Sequence, residues 1–437
     1  MDIIQKDLQH IWHPCSQMKD YLQYPPIEVC KAQGSYYTLT NGKKIIDAIS
    51  SWWCKSFGHN HPRIKEALIK QMDKFEHVIQ ARTTNKKIVA LSEQLCTLSP
   101  DLNKVFYSTS GSNAVEIALK MSLHSRKILG QTSRKNFVSL KNGYHGETTG
   151  ALSVSDVGIF KSAYSEMLFE TSIIQNIAYV TGPEDPHWKN AQEFWNNTEK
   201  KLEHLSESTT AIIFEPIVQG AGGMKIISAD YLKHLAKWSR KNNIHLIADE
   251  IMTGIGRTGK MLACEHADIQ PDFICLGKGL TAGWLPLSAV LTSTEIYNYF
   301  YDDYETGKSF LHSETFSGNA LGVAVALETL SIIEDEDILT KANSLSSIMR
   351  KLFENIANKT EKLTNIRSIG GIVAAELTPH PTKKRLGFEI ALQANNLGAL
   401  VRPLDNTLYW LPPLNTDIAC LEELSSITEK AITLAYS

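Results

Sequence analysis

The chain has 437 residues, 43% of them hydrophobic and 21% charged, with a formal net charge of −3. That balance excludes a disordered or fibrous protein, and the near-neutral charge removes most of the case for nucleic-acid binding by phosphate neutralisation. At roughly 150 residues per domain, the length suggests two to four domains, or one large domain with a smaller companion.

Residues 1–55 contain turns at Pro25-Pro26 and Asn41-Gly42 and a strand-like run from Gly34 to Leu39. Ser50-Ser51-Trp52-Trp53 sets two indoles side by side. Read as a strand pair, they face opposite sides, one towards the core and one towards a pocket. His59-Asn60-His61-Pro62 looks like a metal pair. Pro62, however, reads as the first residue of a helix from Arg63 to Phe75. With no acidic or thiol partners at ligand spacing, no metal is expected.

The middle of the chain alternates short apolar runs with amphipathic ones. Lys104–Ser108 predicts a strand, and Asn113–His124 a helix with Val115, Ala118, Leu119 and Leu123 on one face. Asn136–Leu140, Ala211–Phe214 and Ile244–Ala248 read as strands, the last preceded by a helix pattern from Tyr231 to Lys241. Phe273–Leu276 and Ser288–Thr292 complete the series. Short, nearly all-apolar strands separated by helices predict an α/β fold with a mainly parallel central sheet and helices on both faces. From about Asp335 onward the pattern changes. A helix from Leu339 to Ala357 precedes strand-like runs after Gly370-Gly371, at Leu400–Arg402 and at Leu408–Leu411. This predicts a smaller α+β domain built from both chain ends: 1–55 joining 335–437, with 56–334 as the large domain.

The seven cysteines are scattered, with no C-x-x-C pair, which fits reduced thiols. The first residues lack the basic start and apolar stretch of a secretion signal, and no apolar run has transmembrane length. The expectation is a cytoplasmic protein with small-molecule partners and no membrane.

In an open parallel sheet, ligands sit at the carboxyl ends of the strands. Ser110, Tyr144, Glu215, Asp249 and Lys278 all follow predicted strands and should share one rim. Asp249 and Lys278 carry the most information. A lysine in a desolvated site has a depressed pKa suited to Schiff-base chemistry. A carboxylate aimed at a pyridine nitrogen keeps that ring protonated, so the pair meets the requirements of pyridoxal 5′-phosphate. Ser108–Asn113, small and polar between a strand and a helix, suits a phosphate at a helix N-terminus, with Ser112 or Asn113 as the cap. Tyr144 is placed to stack on a cofactor ring. Gly254–Lys260 imitates a phosphate loop, but Met261 stands where a Ser or Thr would bind magnesium, so a structural loop is expected. Arg402, in an apolar stretch, calls for an anionic partner, either a structural acid or a substrate carboxylate.

Taken together, Glu215-Pro-Ile-Val-Gln-Gly220, Leu246-Ile-Ala-Asp249-Glu250, Gly256-Arg-Thr-Gly259 and Leu276-Gly-Lys278-Gly279 resemble the class III pyridoxal-phosphate aminotransferases of fold type I. Within that class, Ile11-Trp12-His13-Pro14, Ser50–Trp53, Asn142–Gly146, Gly220–Met224 and Ala263–Ala267 resemble the branch serving biotin synthesis. The resemblance implies amino transfer from S-adenosylmethionine to 8-amino-7-oxononanoate. The rival is another ω-aminotransferase using a diamine, lysine or ω-amino acid.

It also implies roles. Lys278 is the catalytic, cofactor-linked lysine. Asp249 pairs with the ring nitrogen, Gly111 and Ser112 hold the phosphate, and Tyr144 contacts ring and substrate. Glu314 and Thr315 complete the cofactor site, Thr315 from the neighbouring subunit of a homodimer. Trp52, Trp53, Ser313 and Arg402 join Tyr144 and Lys278 at the substrate. Cys15, Glu147 and Ser313-Glu314 depart from the residues common in the class.

Overall fold

The computed structural model describes residues 1–437, Ile159 by its backbone alone. Its central sheet has seven strands: β1 (Lys104–Ser108), β2 (Asn136–Leu140), β3 (Thr171–Ile174), β4 (Thr209–Phe214), β5 (His245–Asp249), β6 (Phe273–Leu276) and β7 (Ser288–Thr292). They lie in the order β1-β7-β6-β5-β4-β2-β3. The β6–β5, β5–β4, β4–β2 and β2–β3 pairs are parallel, and β7 runs against both of its neighbours. The mainly parallel sheet read from the apolar runs is present.

Those runs are apolar throughout because both faces are covered. Ala211, Ile213, Ile247, Phe273, Cys275 and Val290 join one core with helix α1 (Gly111–Ile128). The alternate residues Ile212, Phe214, Leu246, Ala248, Ile274 and Leu276 join the core on the other face, with helix α2 (Ala229–Lys241). A two-residue period therefore sorts every strand into two buried layers.

A further core lies among residues near the two chain ends. Ile46 and Ala48 pack with Leu345, Met349 and Phe353 of the helix Ile338–Thr360 and with Val373, Leu408 and Trp410. The ends are also stitched by hydrogen bonds, since Ala399–Leu400 pairs in parallel with Ile46–Asp47. Strand Thr407–Trp410 faces two cores at once, with Leu408 and Trp410 in this one and Tyr409 in the core beneath the sheet. Among the described residues no helix is long and apolar enough to cross a membrane, and all seven cysteines are free.

Two local expectations are corrected. Ser50–Trp53 is a tight helical turn, not a strand: Ser50, Ser51 and Trp53 have φ of 52°, 61° and 63°. Asp47 just upstream and Leu411 and Tyr409 from elsewhere in the fold hold these positive-φ residues, which no local propensity favours. The cap of α1 is Ser110, whose Oγ accepts from the Asn113 N–H at 3.3 Å; Ser112 and Asn113 already lie inside the helix.

Candidate active site

The strand ends build one cleft, lined by Trp53, Gly111, Ser112, Tyr144, Glu215, Asp249 and Lys278, with His145, Gly146, Ile251 and Met252. Lys278 begins a short 3-10 turn directly after β6, with φ of 36°. Burial holds its amine below the usual lysine range, opposed by the attraction of Asp249 and Glu215. Asp249, the last residue of β5, is buried, and both of its oxygens are engaged. Oδ2 meets His145 Nδ1 at 2.8 Å and Oδ1 accepts the Ile251 N–H at 3.2 Å. The carboxylate is an acceptor, so that imidazole nitrogen carries the proton. The outer nitrogen, His145 Nε2, is buried and has no partner among the described residues.

Glu215, just past β4, accepts the Tyr144 N–H at 2.9 Å and the Gly220 N–H at 2.8 Å. Burial pushes its carboxyl up to about 7, with His145 opposing the shift and Asp249 adding to it. Glu215 therefore ties the Tyr144 loop to the turn at Gly220. Tyr144 donates its hydroxyl to Glu147 at 3.0 Å, and burial followed by the Glu147 charge raises its pKa.

At the start of α1, Ser110 uses its oxygens on the N–H groups of Asn113 and Ala114. That leaves the N–H groups of Gly111 and Ser112 as the free donors at the positive end of the helix. Glycine is required beside them. A Cβ on Gly111 would stand 2.9 Å from Ile251 Cγ2, and one on Gly146, at φ 127°, would stand 2.3 Å from Ser112 Oγ. Thr109 is held by Glu314, whose Oε2 accepts both its N–H at 2.9 Å and its hydroxyl at 2.7 Å. Ser313 and Thr315 lie on exposed chain and do not line the cleft of their own subunit.

The twin tryptophans divide this cleft from an outer groove. Trp53 is buried, donates its indole N–H to the Tyr409 hydroxyl at 2.9 Å, and stands with its ring 5.6 Å from Lys278 Nζ. Trp52 is 45% exposed and lines a groove of about 530 Å³ with Cys15, Tyr21, Phe388, Val401 and Arg402. The Arg402 guanidinium stacks 4.5 Å over the Trp52 ring and reaches the Cys15 carbonyl at 3.4 Å. Among the described residues no ion pair forms on Arg402, whose contacts are the Trp52 ring and the Cys15 carbonyl.

The metal-like His59 and His61 point elsewhere, to Asp47 at 2.8 Å and Glu336 at 3.5 Å. Gly254–Lys260 is a run of turns. Three site residues had no role assigned from sequence: His145, Glu215 and Tyr409. The first two stand beside or among motif residues, but Tyr409 gives no local signal of its bond to Trp53.

The class-III aminotransferase family model matches residues 18–432. The chain belongs to that family. It is 43% identical to the adenosylmethionine-8-amino-7-oxononanoate aminotransferase of Helicobacter pylori over 93% of this chain and 92% of the relative. The crystal structure of the enzyme of the same name from Methanocaldococcus jannaschii superposes with a TM-score of 0.90 at 32% identity, covering 99% and 98% of the two chains. The ω-transaminase of Pseudomonas jessenii, solved in complex with PMP, gives 0.91 at 26% identity, covering 100% and 98%. Class-III aminotransferases work with pyridoxal 5′-phosphate. The cleft fits that group: a desolvated amine, a buried carboxylate and two free N–H donors at a helix start face one space.

Proposed function

We propose that this aminotransferase moves an amino group from S-adenosylmethionine to 8-amino-7-oxononanoate, yielding 7,8-diaminononanoate for biotin synthesis. One observation carries the reading. An arginine without an acidic partner, stacked on Trp52, sits in a largely apolar groove next to the lysine cleft. Both substrates end in a carboxylate that one guanidinium can bind in turn, and the acceptor's aliphatic chain suits a groove walled by aromatic and aliphatic side chains. The relatives named for this reaction support it.

When bound, pyridoxal 5′-phosphate supplies an electron sink and carries the amino group between donor and acceptor. Around it, Lys278 provides a lysine whose amine is uncharged more often than a surface lysine's, fit to move the proton at the substrate carbon. Asp249, oriented by His145, holds negative charge at the ring-nitrogen end. Gly111 and Ser112 would receive the phosphate and Tyr144 would face the ring, while Glu314 fixes Thr109 in the turn just before them. Trp52, Trp53 and Arg402 orient the substrate, and Ser313 and Thr315 reach the site across a homodimer interface. That dimer is supported by the exposed Leu311 and Phe316 beside them. The two-part division near residue 335 and a cytoplasmic location complete the reading, the latter supported by seven free thiols.

Single-turnover absorbance with each substrate tests it. S-adenosylmethionine should convert the holoenzyme's cofactor spectrum, and 8-amino-7-oxononanoate should restore it. Conversion by lysine or a diamine alone would replace the donor, and no response to the oxo acid would overturn the assignment.

A further inference from the structure

The turn that carries both tryptophans is strained. Ser51 sits at φ 61°, ψ −100°, a region that residues with a Cβ enter only when the surroundings over-determine it. Its neighbours Ser50 and Trp53 are also left-handed, with φ of 52° and 63°. Such a turn needs anchors, and one buried side chain holds its most strained residue.

Asp47 is completely buried at the end of strand Lys44–Asp47. Its Oδ2 accepts the Ser51 N–H at 2.7 Å, His59 Nε2 at 2.8 Å and the Tyr37 hydroxyl at 3.0 Å. Its Oδ1 accepts the Ile49 N–H at 3.2 Å. Four donors thus converge on one carboxylate, one from the turn's backbone, one from the residue that precedes it and two from side chains outside it. The outside donors are themselves fixed: Tyr37 packs on the His59 ring at 4.7 Å, and His59 exchanges two backbone hydrogen bonds with Gly34. At the far end, Ser50 Oγ donates to the Leu411 carbonyl at 2.7 Å. Charge-assisted bonds of this kind are stronger than neutral ones, and a buried carboxylate that satisfies backbone donors forces one conformation on the chain around it.

We propose that Asp47 is a positioning residue for the substrate site. Its carboxylate, braced by Tyr37 and His59, holds the Ser50–Trp53 turn so that Trp52 meets Arg402 and Trp53 meets Lys278. Asp47 lines neither the cleft nor the groove and acts only through the tryptophans. The inference rests on the substrate reading above for its kinetic consequence, but its structural consequence is independent of that reading.

The test is Asp47→Asn in the holoenzyme labelled with 5-fluorotryptophan. The chain has eight tryptophans, and Trp52→Phe and Trp53→Phe assign the two resonances of interest. The amide turns an N–H donor towards one of the four donors, so the Trp52 and Trp53 fluorine resonances should shift or broaden while the other six stay. KM for 8-amino-7-oxononanoate should rise about tenfold, with kcat changed less than threefold and the cofactor's absorption unaltered. Adding Ser51→Gly, which adopts positive φ freely, should recover most of the lost affinity. If Asp47→Asn does not fold, His59→Leu removes one brace and should give the same pattern at about threefold. Unmoved fluorine resonances, or a lower melting temperature with KM unchanged, would overturn the proposal. If the wild-type enzyme ignores the oxo acid, the substrate reading fails and the fluorine spectra still decide the role of Asp47.

Discussion

The inner cleft and the outer groove differ in how they are made. The cleft is assembled from strand ends: Glu215 after β4, Asp249 closing β5 and Lys278 after β6, with α1 starting beside them. Its key groups are buried and mostly satisfied by neighbours two to five residues away or on the next strand, as in Asp249 to Ile251 and Glu215 to Gly220. The groove is assembled from segments far apart in the chain. Cys15, Trp52, Phe388 and Arg402 come together there, and its arginine is half-exposed and paired only with an aromatic face and a carbonyl. A rigid sheet edge suits bond-making, which every member of such a family shares. A wall of long-range contacts suits substrate choice, because it can change without disturbing the sheet.

The comparison can be broken at its inner end first. Lys278→Ala should leave the cofactor bound and lower transamination by about 10³-fold or more, in line with loss of a positioned acid–base group and covalent attachment point; steady-state kinetics and the cofactor spectrum read this together. In the wild type, borohydride should fix the cofactor to Lys278 and to no other lysine, as peptide mass spectrometry would show. At the outer end, Arg402→Ala should raise KM for both carboxylated substrates by about 10- to 100-fold, the equivalent of a charge-assisted hydrogen bond of about 1.5–3 kcal/mol, with a smaller change in kcat. Equal losses in both parameters would place Arg402 with the inner machinery.

A smaller effect sharpens the boundary between the two regions. Tyr409→Phe removes the acceptor for the buried Trp53 indole N–H and should cost about 1 to 3 kcal/mol of stability, measured by denaturant unfolding of the holoenzyme. The smallest is a pH effect beneath the cleft. Glu250 is buried, accepts from Thr253 at 2.6 Å, Ala263 at 3.0 Å and Cys264 at 2.8 Å, and is pushed up to about 7 by burial. A carboxyl whose folded pKa lies above its unfolded value stabilises the fold at low pH, and that contribution fades as pH rises from about 4.5 to about 7. Glu250→Gln should therefore flatten the fall in melting temperature across that window.

How much was legible varied with range. The helix α1 pattern began two residues late because its cap lies outside the apolar period, at Ser110. The run at 211 extends back to Thr209, since polar threonines are buried at the start of β4. Alternation predicts a strand for the twin tryptophans, because it sets adjacent side chains on opposite sides. The structure reaches the same opposition through left-handed residues held by Asp47, Tyr37 and His59.

The sequence by itself determined the alternating strands and helices, the rim where Tyr144, Glu215, Asp249 and Lys278 meet, and the family. Each of these follows from hydrophobic period and from short motifs whose residues act where the chain places them. Only the tertiary structure decided that His145 orients Asp249, that Tyr409 anchors Trp53, that Arg402 stacks on Trp52, and that Asp47 holds the turn between them. The first three are contacts across a hundred or more residues, set by how buried layers close over one another. Asp47 reaches Ser51 over only four residues, but the burial and the partners Tyr37 and His59 that fix its carboxylate come from the fold.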